Sequence, residues 1–272
     1  MQNLNIAFIQ ANLIWENPEA NLAMFDDLIA GLVNKADLIV LPETFVTGFP
    51  VDPHKFAAKP DGKEITWMRK KARVTKAVVC GSILLDLGGV FHNTLIWMTP
   101  QGDYHCYHKR HVFRMGGEHK LIQPGTAHQD VSLNGWNIRP LICYDLRFPV
   151  WCRNTTTAGQ HNYDLMIFVA NWPEVRSYPW IQLLIARAIE NQAYVLGVNR
   201  VGTDGLGNHY SGDSMLIDPK GNILAQAKPN QEQVVETSIG MDELLNFRKK
   251  FNVALDWDDF KMIILPPDYT TS

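Results

Sequence analysis

The chain has 272 residues, 46% hydrophobic, 19% charged and 10% aromatic, with 25 basic against 28 acidic residues and a formal charge of −3. That length suits one or two domains and a core large enough to need no disulfide or metal. The charge balance argues against nucleic acid as a partner, and the composition excludes disorder and coiled coil.

The N-terminus has neither a basic stretch nor an apolar core, so no secretory signal is expected. The longest apolar candidate, Ala77 to Met98, is broken by Asp86, Gly88, Gly89, His92 and Asn93, which argues against a membrane span. Cysteines stand at 80, 106, 143 and 152 without a CxxC pair. They read as reduced thiols, and the chain as cytoplasmic.

Leu4–Gln10 reads as a first strand, and Pro18–Asn34 as a helix with Asn17 as N-cap and Pro18 at N1. Asp37–Leu41 is a second strand ending at Pro42, and Ile65–Thr75 a helix. Strands near 77–85 and 90–98 and at Asp103–His108 form a meander with a turn at Thr99-Pro-Gln-Gly102. Asn137–Cys143 is again strand, Phe148–Ala158 helix, Leu165–Ala170 strand, Trp180–Asn191 helix and Tyr194–Asn199 strand. Ser211–Ile217, Ile223–Ala227 and Val234–Ser238 form a late hairpin series. Parallel βαβ units thus mix with hairpins, without a linker or a repeat. The expected architecture is one mixed-sheet α/β domain over residues 1–250, followed by a tail over 251–272.

Three segments end a predicted strand on a reactive side chain. Leu38-Ile-Val-Leu-Pro-Glu43 presents a carboxylate where open α/β sheets form their ligand crevice. His105-Cys-Tyr-His-Lys109 presents an ammonium that can face an oxyanion. Ile138-Arg-Pro-Leu-Ile-Cys143 delivers a thiol to a sharp strand-to-helix turn, in the manner of a nucleophile elbow but without its glycines. A helix start beside that thiol favours thiolate. A metal reading would use His105, Cys106, His108, His111 and His119. It is disfavoured because His105 and Cys106 point to opposite faces of a strand and no second cluster at zinc spacing completes the set.

Glu43, Lys109 and Cys143 in that order, within Leu41-Pro-Glu43, His108-Lys109-Arg110 and Cys143-Tyr-Asp-Leu-Arg-Phe-Pro149, resemble the nitrilase superfamily of carbon–nitrogen hydrolases. Ala170-Asn-Trp172, Arg187-Ala-Ile-Glu190-Asn191, Val198-Asn-Arg-Val-Gly202 and Ser214-Met-Leu-Ile-Asp-Pro-Lys-Gly221 fit the same pattern, so the resemblance covers nearly the whole chain. It implies an αββα sandwich that pairs into αββααββα homodimers, with the tail packing across the interface or on its own domain. It also implies a Glu43–Lys109–Cys143 triad, a second glutamate, Glu118, beside the lysine, and no cofactor or metal. Within the superfamily the chain looks most like the ω-amidases, which act on α-keto dicarboxylate monoamides such as α-ketoglutaramate and α-ketosuccinamate. A related amidase, nitrilase or carbamoylase would use the same triad. Many members carry Glu after Arg-Phe-Pro, whereas Val150 and Trp151 follow here.

The expected chemistry is amide hydrolysis through a thioester, with Glu43 as base and then acid. Lys109 and the Tyr144 N–H would stabilise the oxyanion. Arg176 is the candidate clamp for the substrate carboxylate, and Phe49, Trp172 and Tyr210 are candidate pocket walls. Arg147 is expected in an ion pair near the helix start.

Overall fold

Residues Leu4–Gln10 form a strand buried on both faces except at Asn5, and its side chains divide between two apolar clusters. Leu4, Ile6 and Phe8 enter one cluster, Ala7 and Ile9 the other. Alternate residues of a strand point to opposite faces, so this strand must lie inside a sandwich.

The computed structural model describes residues 3–49 and 51–264. Its strands in chain order are β1 (Leu4–Gln10), β2 (Leu38–Val40), β3 (Val78–Asp86), β4 (Phe91–Met98), β5 (Tyr104–His108), β6 (Val131–Leu133), β7 (Trp136–Ile142) and β8 (Thr156–Thr157). They continue as β9 (Gln160–His161), β10 (Leu165–Ala170), β11 (Tyr194–Asn199), β12 (Val201–Thr203), β13 (His209–Ser211), β14 (Met215–Ile217), β15 (Ile223–Gln226) and β16 (Gln233–Ile239). The helices are α1 (Pro18–Ala30), α2 (Pro53–Phe56), α3 (Lys63–Thr75), α4 (Pro149–Cys152), α5 (Ser177–Asn191) and α6 (Met241–Lys250).

Two six-stranded sheets result, ordered β16-β1-β2-β3-β4-β5 and β15-β14-β11-β10-β7-β6. Each has a parallel centre, β1-β2-β3 in one and β7-β10-β11 in the other, with antiparallel strands outside it. Ile6, Phe8, Val40 and Val78 of the first sheet share a core with Ile138, Leu141 and Ile167 of the second. Phe25 and Ile29 of α1 and Ile65 and Met68 of α3 cover the other face of the first sheet. Helix α5 covers the second, and it sits close because β11 carries Gly197: a Cβ there would lie 2.5 Å from Leu184 Cδ1. The layers are therefore α, β, β, α, as the mixed-sheet reading requires.

Asn17 caps α1 through its side chain, which accepts from the Ala20 N–H at 3.1 Å. Several elements differ from the sequence reading, three of them with a clear physical cause. The helix over Phe148–Ala158 is only α4, because Arg153 turns extended and Asn154 spends its amide on the Tyr163 and Asn191 carbonyls. The chain then forms the β8–β9 hairpin through Ala158 and Gly159, both at positive φ. The strand over Ser211–Ile217 breaks into β13 and β14 at Gly212 (φ 86°), where any Cβ would strike the Gln10 side chain. Helix α6 was not anticipated. Its buried Arg248 bonds Asp164 and the Tyr163 and Gln192 carbonyls, just ahead of β10 and β11.

Of the 251–272 tail, residues 251–264 are described. Trp257 lies under the Arg153 guanidinium, and Met262 and Ile264 pack on the shared core.

Candidate active site

The opposite ends of the parallel strands, their C-terminal ends, carry the reactive groups. Cys143 follows β7 with φ 43°, a left-handed conformation that costs a non-glycine residue about 1–3 kcal/mol. The buried Asp145 carboxylate holds the turn. It accepts from the Ile142 N–H (3.1 Å), the Tyr107 hydroxyl (2.7 Å) and the His111 N–H (2.9 Å), and it pairs with His111 Nδ1 at 2.8 Å. Cys143 opens a short 3₁₀ turn through Arg147, and the first N–H groups of such a turn have no partner within it. The Tyr144 N–H is one of them.

Glu43 follows β2, where Thr44 (φ 41°) bends the chain and donates its N–H to Ser82 Oγ. Lys109 directly follows β5. Its Nζ lies 2.9 Å from Glu43 Oε1 and 3.1 and 3.0 Å from the two Glu118 oxygens. All three side chains are buried. Glu43 also accepts from Asn93 Nδ2 (2.8 Å) and from the Asn171 N–H (2.7 Å). Glu118 also accepts from the Phe113 N–H.

The electrostatics follow from this crowding. Burial works against the Lys109 charge, but the Glu118 and Glu43 carboxylates outweigh it and hold the ammonium above its ordinary pKa. Burial, with help from the Glu43 charge, raises Glu118 despite Lys109. Burial and the Glu43 carboxylate push the Cys143 thiol well above its usual value, with Lys109 opposing them. The thiolate expected from the helix start is therefore corrected. A single short turn cannot offset desolvation beside a carboxylate, and Cys143 rests as a thiol whose Sγ lies 3.9 Å from the Asn171 carbonyl oxygen.

A cavity of about 260 Å³ opens over Cys143, Glu43 and Lys109. Sites for small metabolites occupy the lower end of about 300–1,000 Å³, so this one suits a short substrate. Phe49, Trp172, Arg176 and Tyr210 line it, together with Tyr144. The Phe49 ring stands 5.4 Å from Lys109 Nζ. Tyr210 is fixed by a 2.8 Å bond to Asp204, and the Arg176 guanidinium lies over Phe113. Arg147 is the correction here: it forms no ion pair among the described residues and lies over the Trp172 indole, 4.7 Å from the ring centre, on the cavity wall. Asn93, Asn208 and Leu206 were missed. An amide in the middle of a buried apolar strand was the available signal for Asn93.

The five histidine and cysteine side chains of the metal reading do not converge. His111 serves Asp145, and His108 meets Thr94 at 2.8 Å. Among the described residues no helix is long and apolar enough to cross a membrane.

The carbon–nitrogen hydrolase family profile matches residues 5–249. The chain is 43% identical over 262 residues to omega-amidase YafV of Escherichia coli (strain K12), across 96% of this chain and 100% of that protein. It is 32% identical over 254 residues to the 2-oxoglutaramate amidase of Bacillus subtilis (strain 168), across 92% and 96%. XC1258 from Xanthomonas campestris is a CN-hydrolase superfamily protein whose crystal structure has an arsenic adduct in the active site. It superposes with a TM-score of 0.94 at 42% identity, covering 96% of this chain and 100% of that one. With a matching profile over nearly its whole length and the acid, lysine and thiol in one pocket, the chain belongs to the carbon–nitrogen hydrolase family.

Proposed function

We propose that this enzyme hydrolyses the terminal amide of α-keto dicarboxylate monoamides, α-ketoglutaramate foremost, to the keto acid and ammonia. The observation that carries the reading is the buried Lys109 ammonium held between Glu43 and Glu118, at the floor of a cavity that Cys143 also enters. The names of the omega-amidase and 2-oxoglutaramate amidase relatives support the substrate class.

Glu43 accepts the thiol proton as Cys143 Sγ bonds to the amide carbon. The carbonyl oxygen becomes an oxyanion that accepts from Lys109 Nζ and the Tyr144 N–H. One such donor is worth about 2.7–4 kcal/mol in the transition state. Collapse breaks the C–N bond, and Glu43 returns its proton to the departing ammonia. Glu43 then takes a proton from water, whose oxygen attacks the thioester, and gives that proton to the released sulfur. Glu118 orients Lys109. Arg176 receives the far carboxylate, where a guanidinium can make two parallel hydrogen bonds. Phe49, Trp172 and Tyr210 restrict the space around the chain of the substrate. No step calls for a cofactor.

The test is ammonia release from α-ketoglutaramate, glutamine, a short aliphatic amide and a nitrile, with wild type and Cys143→Ala. Turnover confined to the keto-acid amide and lost in the variant is expected. Ammonia from the nitrile or the simple amide instead would discard the carboxylate clamp.

The same proposal includes a cytoplasmic homodimer built from the 1–250 domain; the described part of the 251–272 tail packs on its own domain through Trp257, Met262 and Ile264, and residues 265–272, which lie outside the described residues, are left to reach the interface. Free thiols at Cys80, Cys106, Cys143 and Cys152 support a reducing compartment. Sedimentation velocity giving a single monomeric species would overturn the pairing.

A further inference from the structure

Asn93 sits in β4 with no solvent exposure, between His92 and Thr94 and opposite Leu84 of β3. Its Nδ2 reaches two carboxylates at once, Glu43 Oε1 at 2.8 Å and Glu118 Oε1 at 3.4 Å. Its own carbonyl accepts the Lys109 N–H at 2.9 Å. Its side-chain oxygen, by contrast, is buried with no hydrogen-bond partner among the described residues. A buried amide that leaves its acceptor unpaired is a poor stabilising residue, because the orphaned group keeps its full desolvation cost. A branched apolar residue would serve this strand better. What the position has in its favour is the donor.

We infer that Asn93 is a positioning residue that keeps the Glu43 carboxylate turned toward the Cys143 thiol. Lys109 already holds Glu118 by both oxygens. Glu43 faces the same ammonium and would rotate into the same two-oxygen contact if free to do so. That rotation would take its lone pairs off the thiol and leave the base aimed at a cation. Two neutral donors prevent it: Asn93 Nδ2 occupies Oε1 and the Asn171 N–H occupies Oε2. Because the same side-chain amide also reaches Glu118, it bridges the two acids, while the backbone carbonyl of Asn93 separately holds the Lys109 N–H. This inference rests on the proposed use of Glu43 as the base for Cys143.

The test compares wild type with Asn93→Leu, which keeps the branched skeleton and drops both donors, and with Asn93→Ser, which relieves any steric strain from the bulkier leucine. Two readouts separate this inference from the substrate assignment. One is the rate at which iodoacetamide alkylates Cys143, followed by mass spectrometry with Cys143→Ala as the blank. The other is kcat and KM on α-ketoglutaramate. Loss of one donor to a charged group predicts alkylation and kcat each about 10- to 100-fold slower, with KM within about threefold of wild type. Far-UV circular dichroism and the melting transition should remain those of a folded protein. Alkylation and kcat within about twofold of wild type in either folded variant would overturn the inference, as would a rise in KM with kcat unchanged. If wild type leaves α-ketoglutaramate untouched, the substrate reading falls, and the alkylation rates still decide the role of Asn93.

Discussion

Replacing Lys109 by Met keeps an unbranched chain of similar length and removes the one cation from a buried acid pair. In the native protein that cation makes contacts of 2.9, 3.0 and 3.1 Å with Glu43 and Glu118, all three groups being almost wholly excluded from water. Breaking a buried ion pair by deleting one partner costs about 3–5 kcal/mol. Here the cost should depend on pH, because two carboxylates left facing each other relieve the strain by binding a proton. Their folded-state affinity for that proton then exceeds that of an unfolded glutamate, whose pKa is about 4.3. A carboxyl raised in the folded state adds stability at low pH and loses it as pH rises through the raised value. The slope is about 1.4 kcal/mol per pH unit for each extra proton bound. Between about pH 8 and about pH 5.5 the penalty should therefore shrink by roughly 2–3 kcal/mol. Wild type should change less. The raised Lys109 pKa means its share of stability is fully present below about pH 10.4 and lost only at more alkaline pH. The raised Glu118 gives wild type a weaker trend of the same sign as the variant's. Urea denaturation followed by circular dichroism across that range measures the difference. A penalty that is constant with pH, or a variant as stable as wild type at about pH 8, would refute the account of a lysine neutralising two buried acids.

Glu118→Ala should keep the fold, since it removes one of two competing carboxylates, yet lower kcat about 10²–10³-fold by letting the oxyanion donor swing; steady-state kinetics on α-ketoglutaramate check it. Arg176→Ala should raise KM for α-ketoglutaramate at least tenfold, as expected for a lost charged hydrogen bond, while Arg147→Ala should instead lower stability through lost packing on Trp172. An unchanged KM in the first variant would move the carboxylate site to Arg147. Asp145→Asn converts a pure acceptor into a group with two donors, facing three backbone or side-chain donors and the His111 ring. It should destabilise by about 2–4 kcal/mol in urea titrations and slow Cys143 alkylation, because the strained turn loses its anchor.

Strands buried on both faces were readable almost to the residue: Leu4–Gln10, Leu165–Ala170 and Tyr194–Asn199 are apolar runs, interrupted only at Asn5, with a polar residue at or just beyond their C-terminal ends. The Phe148–Ala158 segment misled because its local composition allows a helix. What shortens that helix is distant, the Asn154 amide committed to Tyr163 and Asn191. Arg147 looked like a helix-start ion-pair residue because nothing local shows that Trp172, from the turn after β10, comes to lie beneath it. The reactive trio was legible for the opposite reason. Each member sits at the end of its own strand, a weak signal singly, and it was the three local motifs together that carried the resemblance to the carbon–nitrogen hydrolases.

The supporting groups could not be read in that way, and the sheet pairing explains why. Glu43, Asn93 and Lys109 belong to the first sheet, while Cys143 and Asn171 end strands of the second. The bonds that aim Glu43 join it to Asn93, 50 residues away, and to Asn171, 128 residues away. Asn171 also donates its side-chain amide to the Glu43 carbonyl and to Thr44. The Glu43 carboxylate is thus held from one sheet by Asn93 and from the other by Asn171, and Cys143 stands on the second. Neither sheet alone contains a working acid–lysine–thiol group. The same apolar interface that docks Ile6 and Phe8 against Ile138 and Leu141 therefore sets the registry of the chemistry. A cavity-forming change there, such as Phe8→Ala, would disturb the distance between base and nucleophile while leaving each of their own turns intact.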